Sequence, residues 1–208
     1  MTAWVIKIGG SLMGCTELPR WLDVIATTGA GKVVLVPGGG PWAEEVRQAQ
    51  QLEGFDERVA HRKALRAMEQ FGKVLAGMRA NLVPASSVAQ FHAVLRDRGV
   101  AVWMPCEMVV ADNSIPESWD VTSDSLAAWL ARRLDASVLL LVKSVKVKMR
   151  QPGIEELMRL GWVDRAFAQF ATGAHFRLVL AGRQDYNAAQ RMLTAEQEVT
   201  AEKRQSGR

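Results

Sequence analysis

Val5-Ile6-Lys7-Ile8-Gly9-Gly10-Ser11-Leu12 and Val33-Val34-Leu35-Val36-Pro37-Gly38-Gly39-Gly40-Pro41 decide the fold. Each is a short apolar run that breaks into glycines, the pattern of a buried strand leaving through a tight turn. Without side chains, such turns bring backbone N–H groups close to an anion. A helix beginning there adds unsatisfied donors and a partial positive charge. Pro41 stands where a helix can begin, since its missing N–H costs nothing in a first turn. Two such turns at the same end of one sheet would hold two phosphate-sized groups side by side. Lys7, two residues before Gly9, can lean across both. The outline is that of a phosphoryl-transfer site.

The rest of the chain extends the alternation of strand and helix. Helical spacing runs over 17–29, with Leu18, Trp21, Leu22 and Ile25 on one face, then over 42–52, 56–80, 87–97, 123–134 and 154–159. Strands are expected at 82–84, 101–104, 138–142 and 176–181, and a short turn or helix at 186–193. Residues 105–119, with Pro105, Asn113, Ser114 and Pro116, read as a long loop, and Thr122 or Ser123 as the N-cap of the following helix. The unbroken Val138–Val142 run suits a strand buried on both faces. The pattern predicts an α/β three-layer αβα sandwich with a mainly parallel central sheet. Residues 1–194 are expected to form a single domain, and the polar stretch 195–208 a disordered tail.

Composition narrows the function. About half of the 208 residues are hydrophobic, enough for a substantial core. No run is long enough for a membrane span, and the chain opens directly into strand-like residues with no leader layout. Cys15 and Cys106 lack metal-ligand spacing, so a reducing cytoplasm is the expected setting and no metal ligands are assigned. The net charge of +4 is local. Lys143, Lys146, Lys148 and Arg150 carry it, and a compact cluster suits a polyphosphate better than a duplex. No nucleic-acid or membrane partner is expected. His61, His92 and His175 read as structural. Trp119 is the tryptophan set apart, since beside Asp120 it can stack on an aromatic ring.

Trp119-Asp120-Val121-Thr122-Ser123-Asp124-Ser125-Leu126-Ala127-Ala128 adds two carboxylates and three hydroxyls at a helix start. Together with Lys7-Ile8-Gly9-Gly10-Ser11, Pro37-Gly38-Gly39-Gly40 and the strand Leu139–Val142, it resembles the amino acid kinase superfamily over most of residues 4–147. The resemblance implies ATP and a small acceptor as substrates, with Mg2+ bridging ATP oxygens. It implies that Lys7 steadies the transferred phosphoryl group and that Asp124 orients the active-site lysines. Gly9, Gly10 and Ser11 would lie against ATP phosphates, and Gly38, Gly39 and Gly40 against the acceptor, with Trp119 and Asp120 beside it. Gly39 is expected either to face the acceptor phosphate or to need a positive φ. A homo-oligomer, dimer or higher, is expected. The short length, Ser118–Ala128, Val142-Lys143-Ser144-Val145 and Gly161-Trp162-Val163-Asp164 resemble the small aminomethylfuran phosphate kinase subgroup of methanofuran biosynthesis. There the acceptor is itself a phosphate monoester, so no general base is needed. For an alcohol acceptor, Asp120 or Asp124 becomes a candidate base.

One segment departs from the wider family. An acid–glycine turn of the Asp-Val-Asp-Gly kind is expected after the strand ending at Val142. Here Lys143-Ser144-Val145-Lys146-Val147-Lys148 stands instead. Either Lys143, Lys146 and Lys148 replace the usual contacts to ATP, or nucleotide binding is weakened and the chain is a catalytically silent binding or regulatory protein. A Rossmann dehydrogenase is disfavoured, because no Gly-x-Gly-x-x-Gly follows the first strand and no acid ends the second.

Overall fold

The computed structural model describes residues 3–195. Six strands, β1 (Trp4–Ile8), β2 (Val33–Pro37), β3 (Leu82–Ala85), β4 (Val100–Trp103), β5 (Val138–Lys143) and β6 (Arg177–Gly182), form one sheet in the order β3-β4-β2-β1-β5-β6. Every pairing between neighbouring strands is parallel. Eight helices accompany them: α1 (Glu17–Thr28), α2 (Gly40–Glu53), α3 (Glu57–Met78), α4 (Val88–Arg96), α5 (Cys106–Val110), α6 (Ser123–Arg133), α7 (Ile154–Arg159) and α8 (Phe167–Ala171). A further helical segment covers 186–195. This is the three-layer α/β sandwich with a mainly parallel sheet that the sequence predicts.

The central strands are apolar because both faces are covered. One core joins Val5, Val34, Val36, Leu139 and Leu141 to Leu126, Ala127 and Leu130 of α6. The other joins Trp4, Ile6, Ile8, Leu140 and Val142 to Leu18, Trp21, Leu22 and Ile25 of α1. Strand alternation then fixes the polar residues at the strand ends. Lys7 follows Val5 onto the α6 face, and Lys143 follows Leu139 and Leu141 onto the same face. β1 lies between β2 and β5, which are reached by connections running to opposite sides. The carboxyl ends of these three strands are where such sheets gather ligands.

Helix starts follow local chemistry. Asp56 caps α3, accepting from the Val59 N–H at 2.8 Å, and Ser87 caps α4 through the Gln90 N–H. Pro41 sits in the first turn of α2, and left-handed Gly54 (φ 70°) ends that helix. Two short helices depart from the expected layout. α5 lies inside 105–119, read from sequence as loop, because prolines at both ends mask five helical residues. α8 lies where the sequence predicts no element; its five residues are too few to show a period, although Phe167 and Phe170 are buried. The closing segment at 186–195 is helical. Of the tail expected over 195–208, Ala195 still belongs to this helical segment, and the rest lies outside the described residues.

Candidate active site

The two glycine turns are packed backbone against backbone. A Cβ on Gly10 would land on the N and Cα of Gly40, and one on Gly38 would land on Gly10 N. Only residues without side chains permit this approach. The Gly9 N–H is committed to the Val142 carbonyl at 3.2 Å, and the Gly38 N–H to the Ile8 carbonyl at 2.8 Å. These bonds splice the turns onto neighbouring strands. The donors left to face an anion therefore come one residue later. Gly10 and Ser11 open a 3-10 turn, and Gly39 and Gly40 open α2, positions whose N–H groups lack intrahelical acceptors. The left-handed residue is Gly40 (φ 60°), not Gly39, which has φ −77°. The expectation of positive φ at Gly39 is corrected accordingly. What a side chain at Gly39 would meet is the Ala43 Cβ.

Beside these turns, Asp124 lies between two lysines. Lys143 Nζ donates to Asp124 Oδ2 at 2.6 Å, and Lys7 Nζ stands 3.0 Å from Oδ1. The Lys7 contact is an ion pair at hydrogen-bonding distance, and Oδ1 has no other partner. Lys7 is 5% exposed and Asp124 6%. Ionic groups this buried are tolerated only when paired. Burial by itself pushes the Asp124 carboxyl up, but the Lys7 and Lys143 ammonium groups outweigh it and hold it below the usual range. Burial and the Lys7 charge bring Lys143 down to about 8, against the pull of Asp124. The two lysines converge on one carboxylate at the end of adjacent strands, next to the glycine cradle.

Asp124 is held there by α6, and the cap of α6 comes from far along the chain. Thr122 occupies the N-cap position, but its side chain does not cap the helix. Asp164 does so from outside. Its Oδ2 accepts from Thr122 N, Thr122 Oγ1 and Ser125 N at 2.9, 2.7 and 3.1 Å, and its Oδ1 accepts from Ser125 Oγ. In the sequence, Asp164 stands out only as part of Gly161-Trp162-Val163-Asp164, without a role.

A cavity of 220 Å³ opens from the second turn. Its walls are Gly39 and the turns of α2 that carry Ala43 and Arg47, the His61–Met68 face of α3, Trp119 and Val121 before α6, and the Thr122–Leu126 start of α6. Trp119 is anchored: its Nε1–H donates to Gln50 Oε1 at 2.6 Å, and the Arg47 guanidinium lies 4.4 Å from its ring centre. Asp120 is not brought to the cavity. It is exposed, faces Arg165 at 3.6 Å, and offers its carbonyl to Ala166 N. Trp119 and Asp120 are the two central residues of a turn closed by the Val121 N–H on the Ser118 carbonyl, and the turn sends the first side chain to the cavity and the second to solvent.

The basic segment is divided. Lys143 is in the site, whereas Lys146 and Lys148 are exposed. Residues 145–147 cross the end of β6, where a Cβ on Gly182 would strike the Val145 and Val147 carbonyls. Arg150 then pairs antiparallel with Leu180. The alternation that carries Lys143 to Asp124 stops at the strand end, so nothing in the backbone directs the later lysines to the same point.

The geometry brings two glycine turns together beside two lysines that share one carboxylate. Residues 2–159 match the amino acid kinase family. Over 142 residues the chain is 25% identical to [5-(aminomethyl)furan-3-yl]methyl phosphate kinase of Methanocaldococcus jannaschii, a match covering 68% of this chain and 65% of that relative's length. Among solved structures it is similar to the uridylate kinase of Archaeoglobus fulgidus (TM-score 0.68, 15% identity, 93% and 96% of the two chains). It is likewise similar to the UMP kinase of Ureaplasma parvum (TM-score 0.64, 18% identity, 87% and 89%). The chain belongs to the amino acid kinase family, a family of small-molecule kinases.

Proposed function

We propose that this chain transfers the γ-phosphoryl group of ATP to a small phosphate monoester. The observation that carries the reading is the Lys7–Asp124–Lys143 cluster beside two abutting glycine turns. Phosphoryl transfer asks a protein for position and positive charge more than for covalent chemistry. In this reading an acceptor phosphate oxygen attacks the γ-phosphorus, the bond to the β–γ bridging oxygen breaks, and ADP leaves. The product is a diphosphate, and no base is required because the attacking oxygen is already ionised. Lys7 and Lys143 offset the charge on the equatorial oxygens, and Asp124 keeps the two ammonium groups together and aimed. Gly10 and Ser11 donate to ATP phosphates, while Gly39 and Gly40 donate to the acceptor phosphate.

Among the described residues no group of three or more His, Cys, Asp or Glu gathers as a metal site. The cradle fits a nucleotide whose own phosphate oxygens and waters would carry Mg2+, the usual arrangement for this ion. The M. jannaschii relative is named for an aminomethylfuran-methyl phosphate, and a compound of that type, small and with its phosphate on a methylene arm, suits the 220 Å³ cavity. We place the chain in methanofuran-type cofactor synthesis on that ground.

The test is ADP release from Mg–ATP with a panel of aryl-methyl phosphates, with the product identified by 31P NMR. A diphosphate ester is expected. Binding of ATP without ADP release in the presence of any phosphate monoester would favour the silent binding or regulatory protein, the reading that the substituted 143–148 loop supports.

A further inference from the structure

His61 lines the cavity from the first turns of α3, yet it is not used by the chemistry just described. It is 4% exposed. Its Nδ1 lies 3.2 Å from the Ser118 carbonyl, and its Nε2 is buried with no partner. A carbonyl can only accept, so Nδ1 carries a proton. Burial lowers the imidazole pKa against the opposing pull of the Ser118 carbonyl and Glu117, which keeps the ring neutral. A neutral ring protonated at Nδ1 leaves Nε2 as a bare acceptor. Buried acceptors are nearly always satisfied, and an orphan calls for an explanation.

The remaining walls narrow what could satisfy it. Ala43, Ala64, Leu65, Met68, Val121 and Leu126 are apolar. Arg47, Thr122 and Ser123 are polar, but the Thr122 hydroxyl already donates to Asp164 and none of the three bonds Nε2, so the need for a donor there remains. Gly39 sits at the turn, and Gly72 packs against Pro37 beside it. His61 lies seven residues before Met68 on α3, roughly 10 Å along the axis from it and away from the turn. A ligand anchored by its phosphate at the glycines would therefore meet apolar walls first and the imidazole last. The cavity is also below the ~300 Å³ at which pockets for drug-sized ligands begin.

We infer that His61 is a specificity-determining residue: its Nε2 accepts a hydrogen bond from an N–H or O–H group at the far end of a small, apolar-bodied phosphate monoester. This rests on the kinase reading for the phosphate end. A site holding a buried acceptor rejects analogues that lack the matching donor, because the acceptor then stays unpaired.

The experiment uses three probes: benzyl phosphate, 3-(hydroxymethyl)benzyl phosphate and 3-(aminomethyl)benzyl phosphate. With Mg–ATP, at least one donor-bearing probe is expected to exceed benzyl phosphate in kcat/KM by about tenfold or more. His61→Phe should bring that ratio to about one, and His61→Gln, whose side-chain carbonyl can accept, should restore part of it. In parallel, side-chain 15N spectra of the unmodified protein should show His61 protonated at Nδ1. The Nε2 resonance should move with a donor-bearing probe and not with benzyl phosphate. Equal kcat/KM values in the parent protein, a preference that survives in His61→Phe, or an Nε2-protonated ring would overturn the inference. If no probe is phosphorylated but the donor-bearing ones still shift Nε2, the kinase reading fails and the role of His61 stands.

Discussion

Asp164 Oδ2 accepts from both the backbone N–H and the hydroxyl of Thr122, at 2.9 and 2.7 Å, and so closes the start of α6 from 42 residues away. The same carboxylate also accepts from the N–H and hydroxyl of Ser125. Asp124 lies between these two partners, so the cap fixes the point where Lys7 and Lys143 converge. Asp164→Ala should cost about 1–2 kcal/mol, the scale of a lost helix cap, and lower Tm by several degrees for a domain of this size. Turnover should fall as well, with Asp164→Asn intermediate in both. A Tm within a degree of the parent would mean that other contacts hold α6.

Lys7→Met keeps most of the stem packing while removing the charge. The variant is expected to fold, because Asp124 retains the hydrogen bond from Lys143. Loss of one group aimed at developing negative charge costs about 100-fold or more in turnover. A folded variant with near-parental kcat would remove Lys7 from the reaction.

Lys143 titrates near 8, far below an ordinary lysine, because of its burial and the neighbouring Lys7. It is an ammonium below that pH and neutral above. ATP affinity should accordingly fall as pH rises through about 8, and Lys143→Arg should push that loss to higher pH, since guanidinium does not deprotonate in this range. The sign for stability is opposite. Between about 8 and 10.5 the unfolded chain holds the proton that the folded one has lost, so this group's contribution to stability grows with rising pH. Calorimetric ATP titrations between about pH 6.5 and 9.5 decide it. A flat affinity profile would show that Lys143 remains charged or does not touch the nucleotide.

Much of this site is legible in the sequence because it depends on local rules. Glycines after apolar strands mark the two turns. Strand alternation carries Lys7 from Val5, and Lys143 from Leu141, onto one face. A Ser-Asp-Ser helix start marks Asp124. What escapes is set by packing between distant segments. Asp164 meets Thr122 only because the loop after α7 folds back under α6. His61 differs from any half-buried helical histidine only through the Ser118 carbonyl and the cavity wall. Trp119 and Asp120 are neighbours in sequence, and only the path of the loop sends one inward and the other toward Arg165. The division of the turn into a right-handed Gly39 and a left-handed Gly40 is likewise invisible in three consecutive glycines.

That division sharpens the expectation for the second turn. A Cβ at Gly39 would overlap the Ala43 Cβ, so Gly39→Val forces the first turn of α2 to shift at the mouth of the cavity and costs some stability. The KM for the acceptor should rise by about tenfold or more, the scale of a misplaced substrate, with a smaller change in the KM for ATP. Gly40→Val should cost stability through the backbone itself, because a β-branched residue is strained at φ 60°. Equal rises in both KM values for Gly39→Val would mean that the two turns do not divide the substrates between them.

The basic segment gives the clearest separation between the catalytic and the silent reading. Only Lys143 of the three lysines reaches Asp124, while Lys146 and Lys148 are exposed beyond the strand end. Changing each singly to Met removes one charge and preserves most of the stem. Lys143→Met is expected to weaken ATP binding most, because its charge acts where water is excluded. Lys146→Met and Lys148→Met should each cost no more than about fivefold, the range of exposed ion pairs. Their effects should shrink as salt is raised, since screening acts on exposed charges, while that of Lys143→Met should persist. Isothermal titration of ATP at low and high salt reads both quantities. Should Lys143→Met bind ATP like the parent, the site's central cation would have no part in nucleotide binding. If the other two variants also bind ATP normally, the segment is only a solvated run of charge, and the silent relative becomes the better description.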